Sequence, residues 1–287
     1  MNKTSKLINY ETIQANIDVH AALANAGEYN KSPHFRAENQ KKVKGILEEL
    51  FSKTIDPNEI KLLDMGCGTG FILHLVADIV SEAHGIDVTE DMMSQVDTSL
   101  ENVYLKTAYA EETGFPENSF DIVTAYSFLD HLHDYKVVIQ EAYRVLKSGG
   151  IFYSDLNPNA EFSECMMKVE NSTMDNDALP IEISREIKGM LHNGEYYSEN
   201  FGIEEETLTK AEPQKSFNRG FYVEDVVETA KKLGFSDVKI EYDWFLGQGV
   251  LMNSNSGINI DDIDTYLHRV LPASSCFFKY LRFIFIK

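Results

Sequence analysis

A chain of 287 residues is long enough for one large αβ domain with an embellishment, or for two small domains. Its net charge of −20 argues against a nucleic-acid partner, which needs a basic face, and equally against an anionic membrane surface. The three cysteines, Cys67, Cys165 and Cys276, are odd in number and far apart. They fit a reducing, cytoplasmic compartment and give neither a disulfide framework nor zinc spacing.

The first thirty or so residues are polar and mixed, without the apolar core of a signal peptide. Ile17 to Ala26 predicts a short helix that Gly27 ends, and Glu28 to Arg36 is turn-rich with aromatics. Arg36 to Phe51 predicts an amphipathic helix with Val43, Ile46, Leu47 and Leu50 on one face. Ile60 to Met65 is an apolar run containing one acid, Asp64, the pattern of a buried parallel strand. Gly66, Gly68 and Gly70 then make a turn that side chains would obstruct, and Phe71, Ile72, Leu75, Val76 and Ile79 follow at helical spacing. A strand, a glycine turn and a helix put bare backbone N–H groups beside a nucleotide-like ligand. Ala83 to Asp87 is a second short strand ending in an acid, about 20 residues past the glycines, where a ribose partner is expected. A carboxylate there accepts from both ribose hydroxyls. A strand-ending Asp also serves as a helix cap or turn former; here the spacing favours the ligand.

Strands and helices alternate from Ile60 to Asp155, as a parallel sheet requires. Ligands of such sheets sit beyond the C-terminal strand ends, where Gly66, Asp87, Ala110 and Tyr126 fall. Between Asn157 and Arg219 the segment is acidic, yet rich in Met, Phe and Tyr. It is too long for a connection and too apolar for a linker, and reads as an inserted cap. Val223 to Leu233 predicts a helix stopped by Gly234, and Phe235 to Tyr242 a strand. Phe277 to Ile286, interrupted by Lys279 and Arg282, is too short to span a bilayer and reads as a last strand. The expected organisation is a lid and nucleotide-binding core over 1–156, a cap over 157–219, and a return to the core sheet over 220–287.

Dinucleotide enzymes show G-x-G-x-x-G, but Phe71 stands where the third glycine belongs, and no phosphate-loop lysine follows Gly70. The stretch Leu62–Gly70 instead resembles motif I of the class I S-adenosylmethionine-dependent methyltransferases, of the small-molecule type. Gly85–Met93, Tyr109–Val123, Ser127–His133 and Glu141–Tyr153 resemble the family's later blocks in the same order. The resemblance implies a Rossmann-like seven-stranded, mostly parallel sheet with helices on both faces, an antiparallel last strand and the inserted cap. It implies S-adenosylmethionine as cofactor and S-adenosylhomocysteine as product. Asp64, Gly66, Cys67, Gly68 and Gly70 fall on the cofactor turn, Asp87 on the ribose acid with Val88 beside it, and Met92 on the adenine. Ala110 and Glu111 match the adenine-edge stretch, although Tyr109 replaces the family's usual Asp. Tyr126 falls at the end of strand four. In the family the N-terminal segment often folds over the cofactor as a lid, which would bring Tyr29 and Arg36 to the cofactor and His34 to the substrate.

Methyl transfer needs alignment, water exclusion and the handling of one proton. His131, on the rim after strand four, is the candidate base, with a structural histidine as the alternative reading. Asn157, Tyr196 and Tyr197 are candidate substrate contacts; the tyrosines serve equally as the cap's own core. Asp130 and Asp155 lack a clustered third ligand, so no metal is expected. The leading expectation is methyl transfer to a small molecule without nucleic acid or stable membrane insertion, a homodimer being left open. The alternatives are a lipid-like or quinone-precursor acceptor, and a non-catalytic module that binds S-adenosylmethionine.

Overall fold

The structure, a computed structural model, describes residues 9–25, 33–54, 59–97, 99–172, 179–192, 194–254 and 257–287. Seven strands form one sheet: β1 (Lys61–Met65), β2 (Glu82–Asp87), β3 (Val103–Thr107), β4 (Phe120–Tyr126), β5 (Leu146–Pro158), β6 (Asp237–Phe245) and β7 (Phe278–Ile286). Their order is β3-β2-β1-β4-β5-β7-β6. The pairings from β3 across to β5 are parallel, with Leu62 opposite both Ala83 and Ile122. β7 runs antiparallel to β5 and β6, so the expected antiparallel last strand is present.

The period-two alternation of these strands sorts their side chains onto two faces. Leu63, Met65, Val123, Phe152, Phe283 and Phe285 bury against Val138, Ile139 and Ala142 of one helix (Tyr135–Val145) and Val226 and Ala230 of another (Val223–Leu233). Leu62, Ile122, Ile151, Tyr153 and Ile284 bury on the opposite face against helices Ala37–Phe51 and Phe71–Val76. Gly234, at φ 105°, stops the Val223–Leu233 helix as expected.

The N-terminal helix α1 (Tyr10–Asn25) begins seven residues before the predicted Ile17. The signal is Asn9, whose Oδ1 accepts from the N–H groups of Glu11 and Thr12 at 3.1 and 3.3 Å, an N-terminal cap. Helix α2 (Ala37–Phe51) follows, with Val43, Leu47 and Leu50 buried. Among the described residues, five helices lie between β5 and the Val223–Leu233 helix: Ala160–Glu170, Ile181–Met190, Gly194–Phe201, Glu205–Ala211 and Pro213–Ser216. Ala15 and Val19 of α1 pack on Ile203, Leu208 and Ala211 of this helical layer. Phe162 and Met166 pack on Ile187 and Met190 within it. Among the described residues no helix is long and apolar enough to cross a membrane.

Candidate functional site

The turn after β1 is built by backbone that only glycine adopts cheaply. Gly66, Gly68 and Gly70 have φ of 70°, 52° and 86°, in the left-handed region. At Gly66 a second constraint applies, because a Cβ there would lie 2.6 Å from Cε2 of Phe128, inside its ring contact. Across the turn, at the end of β2, Asp87 accepts from the Gly68 N–H at 2.9 Å and the Thr89 N–H at 2.8 Å, one bond to each carboxylate oxygen. The acid therefore fixes the two loops that flank the strand ends, and each oxygen keeps further acceptor capacity.

These elements line one cavity of about 70 Å³. Its walls are Gly66 after β1, Asp87, Val88 and Thr89 after β2, Ala108 to Glu111 after β3, and Phe128, His131 and Leu132 after β4. Ile13 and Asn16 of α1 close it. Burial pushes the Glu111 carboxyl up. Tyr109, where the sequence departs from the family pattern, meets Tyr10 of α1 edge-on at 6.3 Å between ring centroids. The substituted residue thus packs against α1. The cavity is narrower than the roughly 300–1,000 Å³ usual for ligand sites, so a nucleoside ligand requires α1 and Phe128 to move apart.

Behind the cavity lies a buried ionic cluster. Lys215 pairs with Glu212 and, at 3.3 Å, with Asp130. His192 Nε2 stands 2.9 Å from Oε2 of Glu212. Burial alone would raise the Glu212 carboxyl, but His192 and Lys215 hold it well below the usual range. Burial would lower Lys215, yet Glu212 and Asp130 hold it well above. His131 Nδ1 is 2.7 Å from the Asn16 amide nitrogen, and the His131 ring meets His20 of α1 at 4.9 Å. Burial, reinforced by the neighbouring His131, pushes His20 down to about 4. Nothing local in the sequence joins these groups; the one available signal is the i,i+3 spacing of Glu212 and Lys215.

Residues 63–154 match a family model described as a methyltransferase domain. The sheet core from β1 to β5 is thus similar to a methyltransferase domain. The chain is 40% identical over 98 residues to a demethylmenaquinone methyltransferase of Staphylococcus aureus, covering 32% of this chain and 41% of that one. It is 31% identical over 91 residues to a probable S-adenosylmethionine-dependent methyltransferase of Mycolicibacterium smegmatis, covering 32% and 35%. The matches thus span about two fifths or less of these relatives. In fold it is similar to a SAM-dependent methyltransferase from Archaeoglobus fulgidus, with a TM-score of 0.52, 18% identity and coverage of 86% and 94%.

The structure places the predicted site residues unequally. Gly66, Asp87, Val88, Ala110, Glu111 and His131 line the cavity together. Gly68 and Gly70 shape the turn, and the Met92 methyl lies 3.5 Å from where a Gly68 Cβ would stand. Cys67 is buried, which pushes its thiol up, and Asp64 is buried under the turn with Thr124 Oγ1 donating to it at 2.7 Å. Neither lines the cavity. Tyr126 also turns away from it: its ring stacks on Phe71 and its hydroxyl accepts from Asn39 of α2 at 3.0 Å. Tyr29 lies outside the described residues. Arg36 precedes α2, its carbonyl accepting from the Gln40 N–H. The His34 ring stands edge-on to Trp244 and Tyr280 at 4.4 and 5.4 Å, and burial, with Lys279 near, pushes it down to about 3. Among the described residues it is α1 that closes the cavity, through Ile13 and Asn16; most of the Glu28–Arg36 turn lies outside the described residues. Asn157 is held inside the sheet, accepting from Ser154 Oγ and donating to the Leu281 carbonyl. Tyr196 and Tyr197 meet each other and Phe201, and Tyr197 donates to the Gly189 carbonyl. Asp130 and Asp155 serve separate networks, Asp155 with Tyr153 and Arg282.

Asp64 carries a pH dependence. Burial, with Asp87 adding and the Thr124 hydrogen bond opposing, pushes its pKa from 3.8 up to about 7. The folded chain therefore holds a proton that the unfolded chain has released between those values. Stability from this group is complete below pH 3.8 and is lost as pH rises to 7. Asp64→Asn, neutral throughout, is expected to melt like the parent near pH 4 and to exceed it at pH 8 by on the order of 2–4 kcal/mol. Thermal melts of both proteins across that range check it; parallel profiles would mean an ionised Asp64 in the folded chain.

Proposed function

We propose that this chain transfers a methyl group from S-adenosylmethionine to a small polar acceptor in the cytoplasm. The observation that carries the reading is the convergence of Gly66, Asp87 and Ala110–Glu111 on one cavity at the C-terminal strand ends. The cofactor's chemistry fits these residues. Asp87 would accept from the ribose hydroxyls, the bare backbone at Gly66 leaves room for the methionine end, and the Ala110–Glu111 backbone suits the adenine edge. Bound there, the cofactor would supply an electrophilic methyl group on a cationic sulfur.

The chain's own residues then orient the acceptor, exclude water and hold its proton. Closure of α1 through Ile13, Asn16 and Tyr10 excludes water. His131, on the cavity wall, is the group placed to take a proton. As placed, the Asn16 NH2 group faces His131 Nδ1 at 2.7 Å and donates to the Ala211 carbonyl at 3.4 Å, an arrangement in which Nδ1 accepts and the ring proton sits on Nε2; only with the amide turned over does its oxygen accept from Nδ1–H and Nε2 become the basic atom.

The polar acceptor is favoured over a quinone-like one by what lies past His131. His20, Asp130, Glu212 and Lys215 form a buried polar cluster behind it, a setting that suits a polar acceptor better than an apolar tail. The named Staphylococcus aureus relative matches over 98 residues only, so its substrate does not carry over with the core. Calorimetry with S-adenosylmethionine, S-adenosylhomocysteine and NAD as control, followed by transfer assays on polar acceptors, tests the reading. Micromolar binding of the first two with methyl transfer supports it. Binding without transfer to any acceptor points to a binding module, and binding of neither overturns it.

A further inference from the structure

We infer that His20, His131 and Glu212 form a binding site for a divalent transition metal of the zinc class, joining the lid, the core rim and the cap. One ligand atom of each lies within 4.8 Å of the others. Two imidazoles and one carboxylate are the donor set that zinc takes in open three-ligand sites, and imidazole selects such ions over magnesium or calcium. The three come from separate segments: His20 from α1, His131 from the short 3-10 turn Leu129–His131, and Glu212 from the junction of Glu205–Ala211 with Pro213–Ser216.

A second observation points the same way. Asp130 is 2% exposed, and among the described residues its Oδ1 has no hydrogen-bond partner; it stands 3.9 Å from His131 Nε2. A buried carboxylate oxygen in that position is an acceptor for a water on the ion or a fourth ligand. Lys215 and His192 both engage Glu212 through Oε2, so Oε1 is the oxygen assigned to the ion. Asn16 supplies the outer shell. Metal binding through Nε2 requires its amide to turn over, giving up the 3.4 Å bond to the Ala211 carbonyl and accepting instead from His131 Nδ1–H, which directs the Nε2 lone pair to the metal. Tetrahedral ligands about 2.1 Å from zinc stand roughly 3.4 Å apart, so binding must draw the set together, pulling α1 onto the rim.

This inference does not depend on methyl transfer. The Nε2 lone pair that binds the ion is the one that takes a proton, so base catalysis by His131 belongs to the metal-free protein.

The test is titration of the chelator-treated full chain with Co(II), read by visible absorption, then displacement by Zn(II). One equivalent with tetrahedral Co(II) bands is expected. His20→Gln and Glu212→Gln should remove the bands, and Asn16→Ala should weaken binding about 10- to 100-fold. Circular dichroism and melting without metal show that each variant is folded. His268→Gln, outside the cluster, should bind like the parent. No stoichiometric binding by the parent, or unchanged bands in folded His20→Gln, would overturn the site. Calorimetry with S-adenosylmethionine on the same metal-free samples separates this failure from a failure of the cofactor reading.

Discussion

Asp87→Ala is expected to weaken S-adenosylmethionine binding by about 100-fold or more, with only a modest loss of stability. A carboxylate bonded to two ribose hydroxyls makes charge-assisted bonds of about 1.5–3 kcal/mol each, and losing the pair costs two or more decades in affinity. The stability term is smaller. Asp87 holds the Gly68 and Thr89 N–H groups at the loop tips, where water replaces it at about 0.5–1.5 kcal/mol per bond. Asp87→Asn keeps one acceptor oxygen in place and should fall between the parent and the alanine variant. Calorimetry of binding beside thermal melts separates the two effects. Parent-like affinity in a folded Asp87→Ala chain would remove the ribose assignment. A large drop in melting temperature with unchanged affinity would make Asp87 a loop brace alone.

The parts of this site that were legible in the sequence are those written within a few residues of one another. The three glycines and Asp87 declare a turn and a strand end, and the cavity forms between them. Which way Tyr126 and Asn157 face depends on the strands themselves. Tyr126 ends β4 as expected, but it shares its face with Ile122 and so points to α2. β5 runs on to Pro158, so Asn157 still lies inside the sheet, paired with Leu281. The part of α1 in closing the cavity is faint in the sequence because the helix buries small residues, Ala15 and Val19, whose apolar signal is weak. The ionic cluster was out of reach altogether. Asn16 and His131 are 115 positions apart, and only the packing of α1 and the cap against the β4 rim brings His20, His131 and Glu212 together.

Gly66→Ala is expected to damage the chain in two separable ways. At φ 70° an alanine pays roughly 1–2 kcal/mol for the left-handed backbone. Its Cβ also enters the Phe128 ring, and overpacking of that kind costs typically about 1–3 kcal/mol. The sum, about 2–5 kcal/mol, is a large share of a domain's stability of about 5–15 kcal/mol, and cofactor affinity should fall with it as the turn is displaced. Phe128→Ala separates the terms. It removes the ring and leaves the dihedral untouched, so in the double variant the steric part disappears while the backbone part remains. Urea unfolding of the parent, the two single variants and the double variant should give a coupling of about 1 kcal/mol or more in favour of the pair. A coupling of zero would mean that the backbone angle alone demands glycine there. Phe128 would then be a neighbour of the turn without being the reason for its sequence.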